Sequence, residues 1–262
     1  MIELRSGSAQ CTISPDDGGR LASLRIGDQQ ILIERPPASE PDPMSWGAYP
    51  MAPWAGRVRR GQFAFEGHEY TLPINLAPHS IHGTVFTRAW HVDLVEEQLG
   101  HHVTASLSCD LGPLWPLGGF ASQTITLAPD RLECVLAVTA GDRRMPAHIG
   151  WHPWFVKPVA AELDFARMYL RDPEGIATGT LVVSPAGPWD DCFIEPRAPI
   201  ALRYDTCTLT VTSDCICWVI YDQPAHATCV EPQSGPPDAF NHTPDVLEPG
   251  QTLQRMMALS WS

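Results

Sequence analysis

The fold class is decided by the stretch Thr124-Ile125-Thr126-Leu127-Ala128-Pro129-Asp130-Arg131-Leu132-Glu133-Cys134-Val135-Leu136-Ala137-Val138. Apolar and polar residues alternate along its first half, and Pro129-Asp130 has the composition of a turn. Along the second half one face of a strand would hold Leu132, Cys134, Leu136 and Val138. A period of two is typical of a strand, so the stretch predicts a β-hairpin.

The same alternation recurs on both sides of this hairpin. It predicts a hairpin over residues 62–72 with a turn at Gly67-His68, another over 201–212, and strands at 215–221 and 253–260. The 26 prolines leave few windows for long helices. No repeat or linker divides the chain, which predicts one domain over residues 1–262, an all-β fold built as a large antiparallel β-sandwich.

Three long stretches lack this periodicity, and they are the places where a site is expected. They cover residues 36–53, 77–87 and 233–249. Long ordered loops on a sheet scaffold are where binding and catalytic residues tend to be placed.

Charge and composition exclude several classes of function. The net charge is −13, whereas nucleic-acid binding needs clustered cations, so no nucleic-acid partner is expected. Of the 17 basic residues only Lys157 is a lysine, and no GK[ST] motif is present, so lysine chemistry is not expected. The first twenty residues contain no apolar secretion segment, and no run approaches 18 apolar residues. These features predict a cytoplasmic protein with no membrane partner and, despite eight cysteines, free thiols.

The segment Cys229-Val230-Glu231-Pro232 offers the first candidate catalytic group. An apolar strand ends here, and a loop rich in Pro and Gly follows. A carboxylate at such a border is partly desolvated, which raises its pKa toward the range of a general base. The alternative is an ordinary strand-end glutamate that faces solvent.

Three other groups have similar settings. His82 precedes a glycine in Ser80-Ile81-His82-Gly83, His152 lies in the aromatic run Gly150–Phe155, and Arg57 enters the first hairpin. Trp151 and Trp154 flank His152, either as core residues or as a platform on which a sugar ring could stack.

Metal binding is the competing interpretation of the histidines. His79 and His82 have HxxH spacing, and His148 and His152 are four residues apart. No CxxC or HxH motif is present, so the spacing specifies no four-ligand set and no metal is expected.

The order of several segments resembles the aldose 1-epimerase (galactose mutarotase) family, and the short loops resemble its compact bacterial branch. The matching segments are Gly18-Gly19-Arg20-Leu21, Ala52-Pro53-Trp54-Ala55-Gly56-Arg57-Val58, Leu72-Pro73-Ile74-Asn75, Ile81-His82-Gly83, Gly150-Trp151-His152-Pro153-Trp154-Phe155, Asp190-Asp191-Cys192-Phe193, Cys229-Val230-Glu231-Pro232 and Leu247-Glu248-Pro249-Gly250-Gln251. The resemblance implies a β-sandwich isomerase that uses no cofactor and interconverts the α and β anomers of a free aldose.

The resemblance also implies roles for individual residues. Glu231 takes the general-base position, His152 the general-acid position, and His82 assists near the ring oxygen. Arg57 and Asp190 would hold sugar hydroxyls, with Asp190 preferred to Asp191 because it keeps the family spacing to the following phenylalanine. Trp151 is expected to contact the sugar. The partner is a small-molecule sugar, and the protein is expected to be a monomer or a homodimer.

Two departures from the family pattern leave alternatives open. Gly56 replaces the asparagine that usually precedes the arginine, and few cations lie near Arg57, which makes a phosphosugar a less favoured substrate. A glycoside hydrolase could use Glu231 and Asp190 as its two carboxylates. A non-catalytic carbohydrate-binding protein is the other alternative.

Overall fold

The computed structural model describes residues 1–37, 42–98 and 101–262. In these ranges the regular secondary structure consists of strands and of short 3-10 turns at Arg59–Gly61, Val85–Thr87 and Ala239–Asn241. Within the same ranges, no helix has the length and apolarity needed to cross a membrane.

The strands are labelled in chain order. The first half of the chain contains β1 Ile2–Ser6, β2 Ala9–Ser14, β3 Arg20–Ile26, β4 Gln29–Gln30, β5 Ala48–Met51, β6 Arg57–Val58, β7 Gln62–Phe65, β8 His68–Thr71, β9 Ser80–Ile81, β10 His91–Gln98, β11 His102–Asp110 and β12 Phe120–Ala128. The second half contains β13 Arg131–Thr139, β14 Met145–Ala147, β15 Gly150–Val156, β16 Ala160–Glu162, β17 Phe165–Arg171, β18 Ala177–Val183, β19 Asp190–Pro196, β20 Ile200–Arg203, β21 Thr208–Ser213, β22 Cys217–Tyr221, β23 Ala227–Gln233, β24 Asp245–Leu247 and β25 Thr252–Trp261.

Two large antiparallel sheets form the body of the protein. The larger has 11 strands, in the order β1-β2-β3-β5-β15-β23-β22-β19-β17-β18 with β4 paired to β3. The smaller has eight, in the order β10-β11-β12-β13-β25-β21-β20-β16. Apolar side chains of both sheets join in one buried cluster, including Ile13 and Leu24 from the first and Ile125 and Leu136 from the second. The predicted all-β sandwich is therefore confirmed. That cluster includes residues from Leu4 to Leu259, and the single domain over residues 1–262 stays a prediction.

The hairpins predicted from alternation are present. β12 and β13 pair from Phe120↔Thr139 to Ala128↔Arg131, and their inward side chains are fully buried. β7 pairs with β8 and β20 with β21. The turn of the first of these hairpins lies at Glu66-Gly67, one residue before its predicted position, because Phe65 pairs with His68.

Strand β5 lies inside a stretch that the sequence analysis treated as irregular. All four of its residues, Ala48–Met51, are buried, and it pairs with both β3 and β15. Burial on both faces removes the alternation of polar and apolar residues by which a strand is recognised. This hidden strand contributes Tyr49 to the floor of the candidate site.

Candidate active site

A cavity of about 350 Å³ opens on one face of the larger sheet. Its volume lies within the range of roughly 300–1,000 Å³ that is usual for small-molecule sites. The floor of the cavity consists of side chains arranged in two rows that cross the neighbouring strands β5, β15, β23, β22 and β19.

The first row contains the predicted base and acid. Tyr49 on β5 lies opposite His152 on β15. Glu231 on β23 lies opposite Val219 on β22, which in turn lies opposite Cys192 on β19. Because β15 pairs with β23, the row is continuous and sets His152 beside Glu231.

Each residue of the second row lies two positions away from a first-row residue on the same strand. Trp154 is opposite Cys229, Cys229 is opposite Tyr221, and Tyr221 is opposite Asp190. Side chains two residues apart on a strand point to the same face. The rows therefore bring residues from four distant segments of the sequence onto one surface.

Trp151 lies on the other face of β15 and does not line the cavity. Its indole Nε1 donates to Gln123 Oε1 of the smaller sheet at 2.9 Å, and its side chain belongs to the core cluster. The expected sugar contact by Trp151 does not fit this position, because the period of two that aims His152 into the cavity turns the preceding residue away. Trp154 is the tryptophan of this run that lines the cavity.

The wall facing the floor carries Arg57 and His82. Arg57 lies on the short strand β6, opposite Ile81 of β9, and the His82 N–H donates to the Gly56 carbonyl at 3.1 Å. His82 has a left-handed backbone with φ of 63°, an uncommon conformation for a histidine. Gly83 follows with φ of 79°, and a Cβ there would lie 2.0 Å from the Ala52 carbonyl oxygen. Only glycine allows this close approach, which aims His82 at the cavity.

Glu231 and His152 form a buried pair. The Oε1 atom of Glu231 lies 3.2 Å from the His152 Nε2 atom, and the two residues are only 2% and 6% exposed. The Nε2 of Gln233 donates to the other carboxyl oxygen of Glu231 at 3.2 Å. Both oxygens of Glu231 are thus held by neighbours on the sheet.

Aromatic rings contact the imidazole of His152. Tyr49 stacks with it at a centroid distance of 4.9 Å, and Trp154 stacks with it at 5.4 Å. His82 approaches edge-on at 5.1 Å, with an interplanar angle of 89°. These contacts fix the imidazole plane, so that its Nε2 atom stays directed at Glu231.

Burial shifts the pKa values of the pair in opposite directions. Desolvation, with a smaller contribution from the Asp190 charge, raises the pKa of Glu231 well above its usual value. Desolvation lowers the pKa of His152 to about 3. Burial therefore favours the uncharged form of each group, a carboxyl and a neutral imidazole. Moving the carboxyl proton to the imidazole converts this neutral pair into carboxylate and imidazolium without any exchange with solvent.

His82 is also held in its neutral form. Burial lowers its pKa well below the usual value, and the nearby His152 and Arg57 lower it further. Among the described residues, its buried Nδ1 atom has no hydrogen-bond partner. A neutral imidazole can donate or accept one hydrogen bond at this position, depending on its tautomer.

A group of paired charged side chains lines the end of the cavity near Asp190. Arg171 Nη1 lies 2.8 Å from Asp190 Oδ2, and Arg171 Nε lies 3.1 Å from Asp191 Oδ1. Arg57 Nη2 is 3.8 Å from the same oxygen of Asp190. Both aspartates line the cavity. These paired charges can exchange hydrogen bonds with hydroxyl groups of a ligand.

The sequence analysis identified Glu231, His152, His82, Arg57 and Asp190 as catalytic or binding residues, and it did not single out several other residues of the cavity. Tyr49, Arg171 and Gln233 line the cavity without having been singled out. Gln233 could have been found, because it lies two residues beyond Glu231 and shares its face of the strand. Nothing in the sequence pairs Arg171 with Asp190, since that contact depends on the strand order β22-β19-β17.

The histidine pairs with metal-like spacing do not converge. The backbone N–H of Arg60 donates to His79 Nδ1 at 3.1 Å, and His79 Nε2 lies 2.9 Å from the Glu174 carbonyl oxygen. His148 is buried beside Gly235, away from the cavity lining. His79 and His148 therefore contact neighbouring loops and do not line the cavity.

Comparison with known proteins gives the family. The family model described as Aldose 1-epimerase matches residues 1–166. The chain belongs to the aldose 1-epimerase family. The Escherichia coli K12 protein YphB is 28% identical over 156 residues, which is 58% of this chain and half the length of YphB.

Solved structures show that the fold is that of galactose mutarotase-like proteins. A galactose mutarotase-like protein from Clostridium acetobutylicum superposes with a TM-score of 0.87 at 16% identity, over 99% of this chain and 94% of that one. A galactose 1-epimerase from Lactobacillus acidophilus NCFM gives a TM-score of 0.84 at 15% identity, over 98% and 92% of the two chains. Membership of the aldose 1-epimerase family thus agrees with the architecture of the whole chain.

Proposed function

We propose that this member of the aldose 1-epimerase family is a mutarotase that interconverts the α and β anomers of a free aldose by general acid–base catalysis. The buried Glu231–His152 pair, with its Oε1–Nε2 distance of 3.2 Å at the cavity floor, carries this proposal. The reaction needs one proton removed from the C1 hydroxyl and one delivered to the ring oxygen. A pair that holds one proton between two sites matches that requirement.

In this mechanism Glu231 accepts the proton of the C1 hydroxyl as a carboxylate, and His152 donates a proton to the ring oxygen as an imidazolium. The C1–ring oxygen bond breaks, the open-chain aldehyde forms, and rotation about the C1–C2 bond presents the other face of the carbonyl. The ring closes with the two proton transfers reversed. Each transfer by a positioned group typically contributes roughly 10²–10⁴-fold to the rate.

The remaining cavity residues bind and orient the sugar. Asp190 and Arg57 present charged oxygen and nitrogen atoms to hydroxyl groups, while His82 approaches the ring oxygen from the facing wall. Trp154, rather than Trp151, offers an aromatic surface beside the catalytic pair. The expected oligomeric state, monomer or homodimer, stays a prediction.

The hydrolase alternative is less favoured by the contacts of the two carboxyl groups. In a glycosidase both groups flank the scissile bond, one as the acid and the other as the base or nucleophile. Glu231 is instead in contact with His152 at 3.2 Å, and Asp190 is engaged by the Arg171 guanidinium at 2.8 Å and lies 3.8 Å from Arg57. The hydrolase is therefore an outcome to be tested rather than a second proposal.

The test is polarimetry or NMR of freshly dissolved α-aldoses, run with a panel that includes deoxy sugars and uronic acids. We expect equilibration faster than in buffer for at least one free aldose, and a loss of about 10²-fold or more in His152→Ala. Aryl glycosides should release no aglycone. Wild-type rates in His152→Ala would overturn the assignment of the acid. Binding without any acceleration would favour a non-catalytic carbohydrate-binding protein.

A further inference from the structure

Cys229 is a buried thiol beside the catalytic pair for which the proposed mechanism has no use. It lies two residues before Glu231 on β23, on the same face of the strand, and opposite Trp154 of β15. Its solvent exposure is 0%, and it lies beneath the cavity surface rather than among the residues that line it.

Three different ligand atoms meet at this point. An imidazole nitrogen of His152, the Sγ atom of Cys229 and a carboxyl oxygen of Glu231 all lie within 4.8 Å of one another. All three residues are buried. Two come from β23 and one from the paired strand β15, so the hydrogen-bonded backbone of the sheet fixes their relative positions.

The distances suit a small tetrahedral cation after a modest adjustment. Zinc bonds of about 2.0–2.3 Å to nitrogen, oxygen and sulfur place neighbouring ligand atoms roughly 3.3–3.7 Å apart in a tetrahedron. The three side chains would close by about 1 Å at most, and Glu231 and His152 are already in contact at 3.2 Å. The fourth position would face the cavity, as the open position does in zinc sites that have three protein ligands.

The geometry points to a binding site for a thiophilic divalent cation, Zn²⁺ or Cd²⁺, formed by His152, Cys229 and Glu231, at which the bound ion inhibits the enzyme. On binding, the Cys229 S–H bond and the carboxyl O–H bond of Glu231 break, metal–sulfur and metal–oxygen bonds form, and both protons pass to solvent, with no change of oxidation state. The bound cation then occupies the atoms of Glu231 and His152 that would exchange protons with a sugar.

The mixture of ligand atoms predicts the selectivity of the site. Thiolate and imidazole favour Zn²⁺ and its congeners, whereas Mg²⁺ and Ca²⁺ require six or more oxygen ligands. Physiological concentrations of Mg²⁺ should therefore leave the protein unaffected.

The experiment measures binding and inhibition separately. Chelator-treated protein is titrated with Cd²⁺ while the ultraviolet thiolate-to-metal charge-transfer absorption is recorded, and Zn²⁺ inhibition is measured against each variant's own metal-free rate. We expect the absorption to saturate at one equivalent, and inhibition that a chelator reverses. Cys229→Ser should remove the absorption and weaken Zn²⁺ inhibition by about tenfold or more.

Cys192→Ser is the matched control. Cys192 is also buried, belongs to the same floor of the cavity, and is not a member of the ligand group. It should retain both the absorption and the inhibition. Unchanged Zn²⁺ sensitivity in Cys229→Ser, or its loss in Cys192→Ser, would overturn the site.

Glu231→Gln gives an independent check if Cys229→Ser does not fold. It retains the thiol but lacks the carboxylate, so its Cd²⁺ affinity should fall by about tenfold or more, and an unchanged affinity would contradict the proposal. Because absorption reports binding without turnover, a Cd²⁺ signal in a protein that has no anomerase activity would support the site and reject the proposed function.

Discussion

The hairpin β12–β13 and the strand pair β15–β23 use the same backbone geometry for different purposes. In β13 buried and half-buried residues alternate, and the buried face holds Leu132, Cys134 and Leu136. In β23 all seven residues are buried, because one face packs in the core and the other lines the cavity. The hairpin has one covered face, whereas β23 has two.

This difference determines what the buried residues can do. A face that packs entirely against apolar side chains contributes stability and excludes water. The cavity face of β15 and β23 places ionisable groups in the same water-poor surroundings, where desolvation raises the pKa of Glu231 and lowers that of His152. The cavity face of the sheet thus holds ionisable groups with shifted pKa values at the expense of stability.

The largest difference in activity should appear when the same substitution, glutamate to glutamine, is made in each of the two sheets. Glu231→Gln removes the base, and we expect anomerisation to slow by roughly 10²–10⁴-fold. Glu133→Gln on β13 is the control, since Glu133 is partly exposed and pairs with Arg131 at 2.8 Å. Surface pairs of this kind contribute about 0–1 kcal/mol, so activity should be retained. Equal losses of activity in the two variants, measured by polarimetry, would contradict the functional difference between the two sheets.

The second prediction concerns stability, for which a substitution in the smaller sheet should have the larger effect. Leu136→Ala on the fully buried face of β13 should lower the free energy of unfolding by about 2–5 kcal/mol, as measured by denaturant titration. Val219→Ala on the cavity floor should cost less, because Val219 is only partly buried and water can fill the space. A larger loss for Val219→Ala would show that the cavity floor is packed like the core.

The same contrast explains how much of the molecule could be predicted from its sequence. The hairpins at 62–71, 120–139 and 200–213 were predictable because one exposed face preserves the polar–apolar alternation. Strand β5 was not, since Tyr49 and its neighbours are buried on both faces. Of the candidate site, Glu231, His152, His82, Arg57 and Asp190 were identified and all line the cavity.

The contacts between strands could not be predicted. The row Tyr49–His152–Glu231 depends on β5, β15 and β23 being neighbours, although nearly two hundred residues of chain separate its ends. Nor does sequence spacing give the Arg171–Asp190 ion pair. Trp151 was misplaced for a simpler reason, because the period of two applied to β15 alone would have turned it away from His152.

The third prediction tests the cost of burying Glu231. The pKa of Glu231 is higher in the folded protein than in the unfolded chain, so this residue contributes stability at pH values below its unfolded pKa. That contribution is lost as the pH rises toward the folded pKa. In that interval the contribution of Glu231 to stability should fall with a slope of at most about 1.4 kcal/mol per pH unit. The buried histidines contribute in the opposite direction but are present in both proteins, so the difference between wild type and Glu231→Gln isolates Glu231. Glu231→Gln should therefore be more stable than wild type at pH 8 and nearly equal to it at pH 4.

Melting temperatures across this pH range provide the measurement, and Glu133→Gln again serves as the control. Its pH profile should follow that of wild type, because Glu133 is partly exposed. A Glu231→Gln profile parallel to wild type from pH 4 to pH 8 would mean that Glu231 is solvated in the folded protein. In that case both the assignment of Glu231 as a desolvated base and the predicted slope would be wrong.

The smallest effect is expected from alanine substitutions at two glycines that share a left-handed backbone conformation but differ in their surroundings. Gly56, where the family usually has asparagine, has φ of 67°, and Gly67 in the β7–β8 turn has φ of 76°. Alanine in either place incurs a left-handed strain of about 1–2 kcal/mol. At Gly67 the added Cβ meets nothing within 4 Å, whereas at Gly56 it lies 3.2 Å from Pro237.

Gly56→Ala should therefore lose slightly more stability than Gly67→Ala, by less than about 1 kcal/mol in denaturant titration. It should also raise KM, because Gly56 precedes Arg57 and its carbonyl accepts a hydrogen bond from the His82 N–H, while Pro237 lines the same cavity. Gly67→Ala should leave KM unchanged. Equal KM values in the two variants would show that the cavity wall absorbs the added methyl group, whereas a rise confined to Gly56→Ala would show that the wall, like the floor, is held in a fixed position.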